Sequence, residues 1–287
     1  MHRLAPHILS VRFSLLLLGI TGLLSCIGIF WTPYSVLAID SSMRLLAPSI
    51  AHPLGTDHFG RDTLSLLMVG GVNAFVVGFL SVSLGAIVGT FLGLLASIPA
   101  HGHPLQEALD EILMRGADII FAFPVIISAI LIVTNIGPGT ITAILAIAIF
   151  NVPVFARLSR STAKKLWVQE FVLASKAVGK TSYQITWSHV LPNILGPLII
   201  QATSQFGLAI LADAALSYLG IGIQPPDISW GRMLADAQTF LYISPAQAIM
   251  PGIAVTITVL GVNLLGNELS DSLSAKQDQQ KFTADPI

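Results

Sequence analysis

Few residues in this chain have the types and spacing that chemistry needs. The densest polar stretch runs from Leu54 to Asp62 (LGTDHFGRD), between His52 and an apolar run. Asp57, Arg61 and Asp62 are spaced to form a local ion-pair network that fixes a turn rich in glycine, Gly55 and Gly60 included. His52 and His58 tempt a metal reading, but two histidines in one loop read more plainly as polar loop residues, and no metal site is expected. A second candidate, Ala174-Ser-Lys-Ala-Val-Gly179-Lys180-Thr181, imitates a phosphate-binding loop without its first glycine. Such a loop needs a buried strand leading in and a long helix leading out, so that backbone N–H groups cradle phosphates. Here the polar, helix-like WVQEFVL precedes it and Pro192 interrupts the chain soon after it, so this chain is expected to bind no ATP. Cys26 is the single cysteine, which excludes an internal disulfide and a Cys-based metal site. Paired carboxylates or His and Asp constellations converge nowhere, and no catalytic residue is expected.

The elements that carry these residues are bounded first by composition, which sets the solvent. Of 287 residues 54% are hydrophobic and 10% charged, which leaves too few charges to coat a soluble globule. A net charge of −1 gives no basic field for nucleic acid. Apolar runs near the length of about 20 residues that a bilayer demands occur at 13–31, 72–98, 112–134, up to about Ala156, 194–221 and 248–266. The first run follows Arg3 and Arg12 and exceeds the apolar stretch of a signal peptide, so it is expected to be a retained helix. Gly85, Gly89 and Gly93 stack on one helix face that a neighbouring helix can approach closely; routine internal packing is favoured over a subunit interface. Pro124 is expected to kink the third helix. The expected architecture is an all-α integral membrane protein with about six transmembrane helices. It has an N-terminus at 1–12, helix one at 13–31, an extracytoplasmic loop at 32–71, a membrane domain at 72–270 and a tail at 271–287.

Alternating the six runs puts Arg3, Arg12, Arg115, Arg157, Arg160, Lys164, Lys165, Lys176, Lys180, Lys276 and Lys281 on one side. Only Arg44, Arg61 and Arg232 fall on the other, and the positive-inside rule makes both termini cytoplasmic. The loop at 157–192 is then cytoplasmic. Leu166, Trp167, Phe171, Ala174, Ala177 and Val178 form an amphipathic stripe that Gly179 ends. Such a basic amphipathic helix fits either the inner leaflet or a groove on a cytoplasmic partner.

Glu170-Phe171-Val-Leu-Ala174-Ser175, then Gly179, Ile185 and Leu191-Pro192 resemble the coupling motif of binding-protein-dependent ABC importer permeases. The resemblance implies that about 170–182 form the coupling helix, between helices four and five, that inserts into a cleft of an ATPase subunit. Leu54-Gly55-Thr56-Asp57 and Gly60-Arg61-Asp62 are similar to a signature of the peptide and nickel branch of that family. So are Phe121-Ala-Phe-Pro124, Ala214-Ala215-Leu216-Ser217-Tyr218-Leu219-Gly220 and Ser229-Trp230-Gly231, in order along most of the chain. Departures occur at Leu66, at Asp213 where Glu is common, and at Asn267 where Asp is usual.

The resemblance implies a permease in the cytoplasmic membrane, paired with a homologous permease as a heterodimer, two ATPase subunits that hold ATP and magnesium, and an extracytoplasmic solute-binding protein. No cofactor is expected on this chain itself. Short peptides are the favoured solute, with nickel or a metal chelate as the alternative. Asp213, an ionisable residue in a membrane helix, is read as a structural hydrogen bond toward a neighbouring subunit in preference to a contact with passing solute. An ion-coupled secondary transporter is the rival of another class, but the spans are nearly charge-free.

Overall fold

The computed structural model describes residues 4–99 and 104–284, with side chains described for 12–99 and 104–272. Arg3 and the side chains of Lys276 and Lys281 lie outside the described residues. Ten α-helices occur among them: α1 Leu4–Phe30, α2 Thr63–Ser97, α3 Pro104–Ala122, α4 Val125–Ile136, α5 Thr140–Leu166, α6 Glu170–Ala177, α7 Ser182–Ile185, α8 Leu191–Tyr218, α9 Trp230–Gln238 and α10 Ala246–Ala284. No strand occurs among the described residues, only an isolated bridge between Thr56 and Asp62. Five helices are long and apolar enough to cross a membrane, and the bent pair α3–α4 makes a sixth if counted as one span. Side chains such as Leu23, Phe79, Ile87 and Ile141 are more than 60% exposed on these helices, as apolar side chains facing lipid are.

Several boundaries differ from expectation for physical reasons. Helix α2 starts at Thr63, inside the expected loop, because Asp62 caps it: Oδ2 accepts from Ser65 N at 2.8 Å and Ser65 Oγ at 2.7 Å. The kink expected at Pro124 is a break of 91° between α3 and α4. Proline withdraws an N–H and its ring opposes the preceding helical turn, so Pro124 sits in extended backbone at ψ 138° and opens a new helix. The basic stretch 157–166, expected in a loop, is the last part of α5. The expected tail at 271–287 is helical as far as Ala284.

Helix α5 lies along α2, and the glycine stripe explains how. A Cβ on Gly85 would strike Asn151, one on Gly89 the Val152 carbonyl, and one on Gly93 Ser159 and the Ala156 carbonyl. The stripe is thus an internal packing seam between two helices of one chain. The main core joins α2, α5 and α8 through Val77, Leu94, Phe155, Ile194 and Leu216, and extends to Val172 of α6 and to Ile185 and Val190 before α8. A second cluster of Ala74, Ile210, Trp230 and Val255 ties α9 and α10 to α2 and α8. The Trp230 indole donates to Leu67 O at 3.0 Å.

Candidate functional site

The site is built around α6, which stands between the ends of α5 and α8. Helix α5 stops at Leu166, and Gln169 N bonds to Leu166 O at 3.0 Å, so a tight corner separates α5 from α6. The expected stripe runs through this corner, and the structure divides it. Trp167 is buried, whereas Phe171 is 42% and Val178 83% exposed, with Ala174 and Ala177 less covered than Trp167. The side chain that roots α6 is Val172, fully buried with Ile185 and Val190. Sequence reasoning misses Val172 because it lies off the stripe. The apolar face of Phe171, Ala174 and Val178 is therefore largely exposed in the described chain.

Local chemistry fixes both ends of α6. Glu170 opens it, and a carboxylate in a first helical turn favours the helix dipole. Ser175 Oγ donates to Phe171 O at 2.8 Å. At the far end Gly179 has φ +88°, Lys180 N donates to Ser175 O at 3.2 Å and Gly179 N to Lys176 O at 2.9 Å. That left-handed stop favours glycine. Thr181 then caps α7 in a reciprocal box with Gln184. The segment imitating a phosphate loop is a helix stop joined to a helix start, with α6 and no strand leading into it.

On the opposite face, Asp57 and Arg61 pair as expected, with Nε to Oδ2 at 2.7 Å. Asp57 Oδ1 also accepts from Phe59 N and Arg61 N, both at 2.8 Å. Asp62 does not join that pair. It caps α2 and meets His52 Nδ1 at 3.0 Å. Gly60 has φ +81°, and a Cβ there would run into the Asp40 backbone; a Cβ on Gly55 would likewise strike Leu46 O. His58 points elsewhere than His52, stacking on Phe240 with centroids 5.2 Å apart. Burial pushes its imidazole below the ordinary histidine range, against opposition from Asp57 and Asp236 and with help from Arg61 and Arg44. No group of three metal-ligating side chains occurs among the described residues.

Asp213 is 2% exposed inside the chain's own bundle. It accepts from Ser217 Oγ at 3.4 Å, and Ser217 Oγ in turn accepts from Ile223 N at 3.0 Å, so the pair braces the reversal after α8. Within the chain, its hydrogen-bond partner is thus a residue of its own helix.

Residues 89–278 match the family described as binding-protein-dependent transport system inner membrane component. The dipeptide transport system permease protein DppC of Alkalihalophilus pseudofirmus is 42% identical over 245 residues, covering 85% of this chain and 79% of the relative. The glutathione transport system permease protein GsiD of Escherichia coli O157:H7 is 38% identical over 80% of this chain and 74% of its own length. The di/tripeptide transport system permease protein DppC of Pseudomonas aeruginosa is 40% identical over 78% and 72%. In fold, the chain resembles a subunit of the inward-facing MetNI methionine ABC transporter, with TM-score 0.59, 21% identity, and coverage of 72% of this chain and 95% of that one. The chain belongs to the family of inner-membrane components of binding-protein-dependent transport systems, and it is a permease of the ABC importer type.

Proposed function

We propose that this permease imports short peptides, and that α6 is the element through which ATP hydrolysis on separate subunits drives it. The single observation that carries the reading is the exposed apolar face of Phe171, Ala174 and Val178, rooted in the membrane core by Val172. An apolar helix face beside Lys176 and Lys180 suits a groove on a folded partner. Glu170, Phe171, Ala174, Ser175 and Gly179 are the residues assigned to that coupling.

The full complex in this reading has a second, homologous permease, two ATPases carrying ATP and magnesium, and an extracytoplasmic solute-binding protein. This chain binds no nucleotide of its own. The extracytoplasmic turn of Gly55, Asp57, Gly60, Arg61 and Asp62 is a rigid platform on the face opposite α6. Counting α3–α4 as one crossing supports both termini on one side. Helix α3 pairs Asp110 with Arg160 near one end of α5, whereas α4 ends beside Thr140 at the other. The basic end of α5 and Lys176 and Lys180 then make that side cytoplasmic. ATP-driven closure of the ATPases would displace α6, and the helices rooted with it would rock between two packed states.

Peptide is favoured as solute because the relatives above are named for dipeptide, di/tripeptide and glutathione transport. The test is uptake into cells lacking the chain, with labelled dipeptide, labelled tripeptide and nickel offered separately. Restoration of peptide uptake alone supports the reading. Restoration of nickel uptake alone replaces the solute and leaves the permease assignment intact.

A further inference from the structure

Val172 is the one buried side chain of α6, and Lys176 Nζ lies 5.2 Å over the Trp167 ring, so α6 hangs on few contacts toward α5. The turn after α6 is closed by its own backbone bonds, and no side chain packs on Gly179 within 4 Å of where a Cβ would stand. A second point of attachment comes from the start of α8. Residues Thr186–Val190 form a π-helical turn, closed by Leu191 N reaching back to Thr186 O. Pro192 has no N–H to offer, so the α-helical ladder cannot run unbroken into α8. The wider turn buries both Ile185 and Val190 completely, five positions apart, and turns His189 between them toward α6.

His189 meets three elements. Its Nε2 lies 2.9 Å from Lys180 Nζ in the turn after α6. Its ring meets the Phe171 ring of α6 edge-on, at 6.4 Å and 72°. Its carbonyl accepts from Asn193 Nδ2 in the first turn of α8 at 2.6 Å. An ammonium has donors only, so Nε2 is the acceptor and the ring proton resides on Nδ1. Phe171 thereby stays 42% exposed while its ring rests against His189.

We infer that His189 is the positioning residue that locks α6 to α8, so that a push on α6 is passed into the membrane through the π turn instead of being lost as rotation. The inference rests on the coupling role of α6 proposed above and names the joint through which it acts. Val172 packs in the core with Ile185 and Val190, and His189 adds a polar tie from the same π turn to Lys180.

The test uses the complete complex in proteoliposomes, with partner permease, ATPases and binding protein, and reads ATP hydrolysed per labelled peptide taken up. His189→Leu and Lys180→Met are each expected to raise that ratio roughly three- to tenfold, the scale of losing one partly exposed hydrogen bond to a charged group. The double variant should be no worse than either single one. His189→Gln, whose Oε1 can accept from Lys180, should restore most of the coupling. Lys180 is exposed, so its variant separates lost coupling from lost folding. A wild-type ratio in Lys180→Met, or in a correctly assembled His189→Leu, overturns the proposal. A wild-type chain that recruits no ATPase refutes the coupling reading beneath it, and the proposal with it.

Discussion

Asp110 of α3 grips Arg160 of α5 at two points, Oδ1 to Nε at 2.5 Å and Oδ2 to Nη2 at 2.7 Å. Lys164 adds a third bond to Oδ2 at 2.7 Å. Arg157 pairs with Asp118 farther along α3 and stacks 4.4 Å over the Phe121 ring. The bent α3 is therefore fastened to α5, the helix that runs into α6. Arg160→Ala leaves the Asp110 carboxylate with Lys164 alone. The side chains are 31% and 21% exposed, which places the loss between surface and buried pairs, about 1–3 kcal/mol. Thermal unfolding in detergent should show that loss, and the exchange Asp110→Arg with Arg160→Asp should recover part of it. No loss in Arg160→Ala would mean that α3 is held by apolar packing.

The α2–α5 seam gives a paired prediction. Gly89→Ala places a methyl against the Val152 carbonyl and 2.8 Å from Phe155 Cβ, and backbone cannot yield cheaply. A destabilisation of about 1–3 kcal/mol or more is expected, as for overpacked cores. Gly22→Ala has nothing within 4 Å and serves as the control, neutral or stabilising by a few tenths up to about 1 kcal/mol. Both variants are read by thermal unfolding in detergent, and equal tolerance of the two would contradict the described seam.

His58 links the turn of Gly55 to Asp62 to Phe240 ahead of α10, and Gln247 Nε2 donates to Thr56 O at 2.9 Å beside it. Its folded pKa lies below the unfolded value of 6.5, so the unfolded segment binds the proton more tightly. The stability it contributes is fully present above 6.5 and is lost as pH falls through the lower folded value. Hydrogen exchange across 52–62, corrected for its intrinsic pH dependence, should show protection falling as pH drops below 6.5, and His58→Gln should flatten that dependence. An unchanged profile in the variant would remove His58 as the cause.

Asp213→Asn keeps an acceptor for Ser217, so folding and uptake should both survive. Asp213→Leu strands Ser217 and the reversal at Ile223, and a loss of about 1–3 kcal/mol is expected in thermal unfolding. Selective loss of uptake in a well-folded Asp213→Asn would return this carboxylate to the solute pathway.

How much of the molecule is legible in its sequence depends on how local each cause is. Gly85, Gly89 and Gly93 announce a close approach because their spacing is that of one helix face, yet nothing local names α5 as the partner. Pro124 announces a break, but its 91° depends on Asp110 and Asp118 being drawn to Arg160 and Arg157 from far along the chain. The stop at Gly179 is readable because positive φ selects glycine. The stripe from Leu166 to Val178 misleads at its start, since helical periodicity cannot be counted through the corner at Gln169. His189 carries no signal in the sequence because its partners Phe171 and Lys180 face it only after two turns of chain have been placed.

The central claim is that the outward face of α6 is where the ATPase docks. The most direct measurement is affinity purification of the chain from gently solubilised membranes, comparing wild type with Phe171→Asp and quantifying co-purified ATPase and permease subunits. Phe171 is 42% exposed, so the substitution leaves the fold largely untouched while removing an anchor whose burial is worth about 1.5–3 kcal/mol. The account predicts that wild type brings down both kinds of partner, and that Phe171→Asp keeps the second permease but loses most of the ATPase. ATPase retained at wild-type levels by Phe171→Asp would contradict the claim.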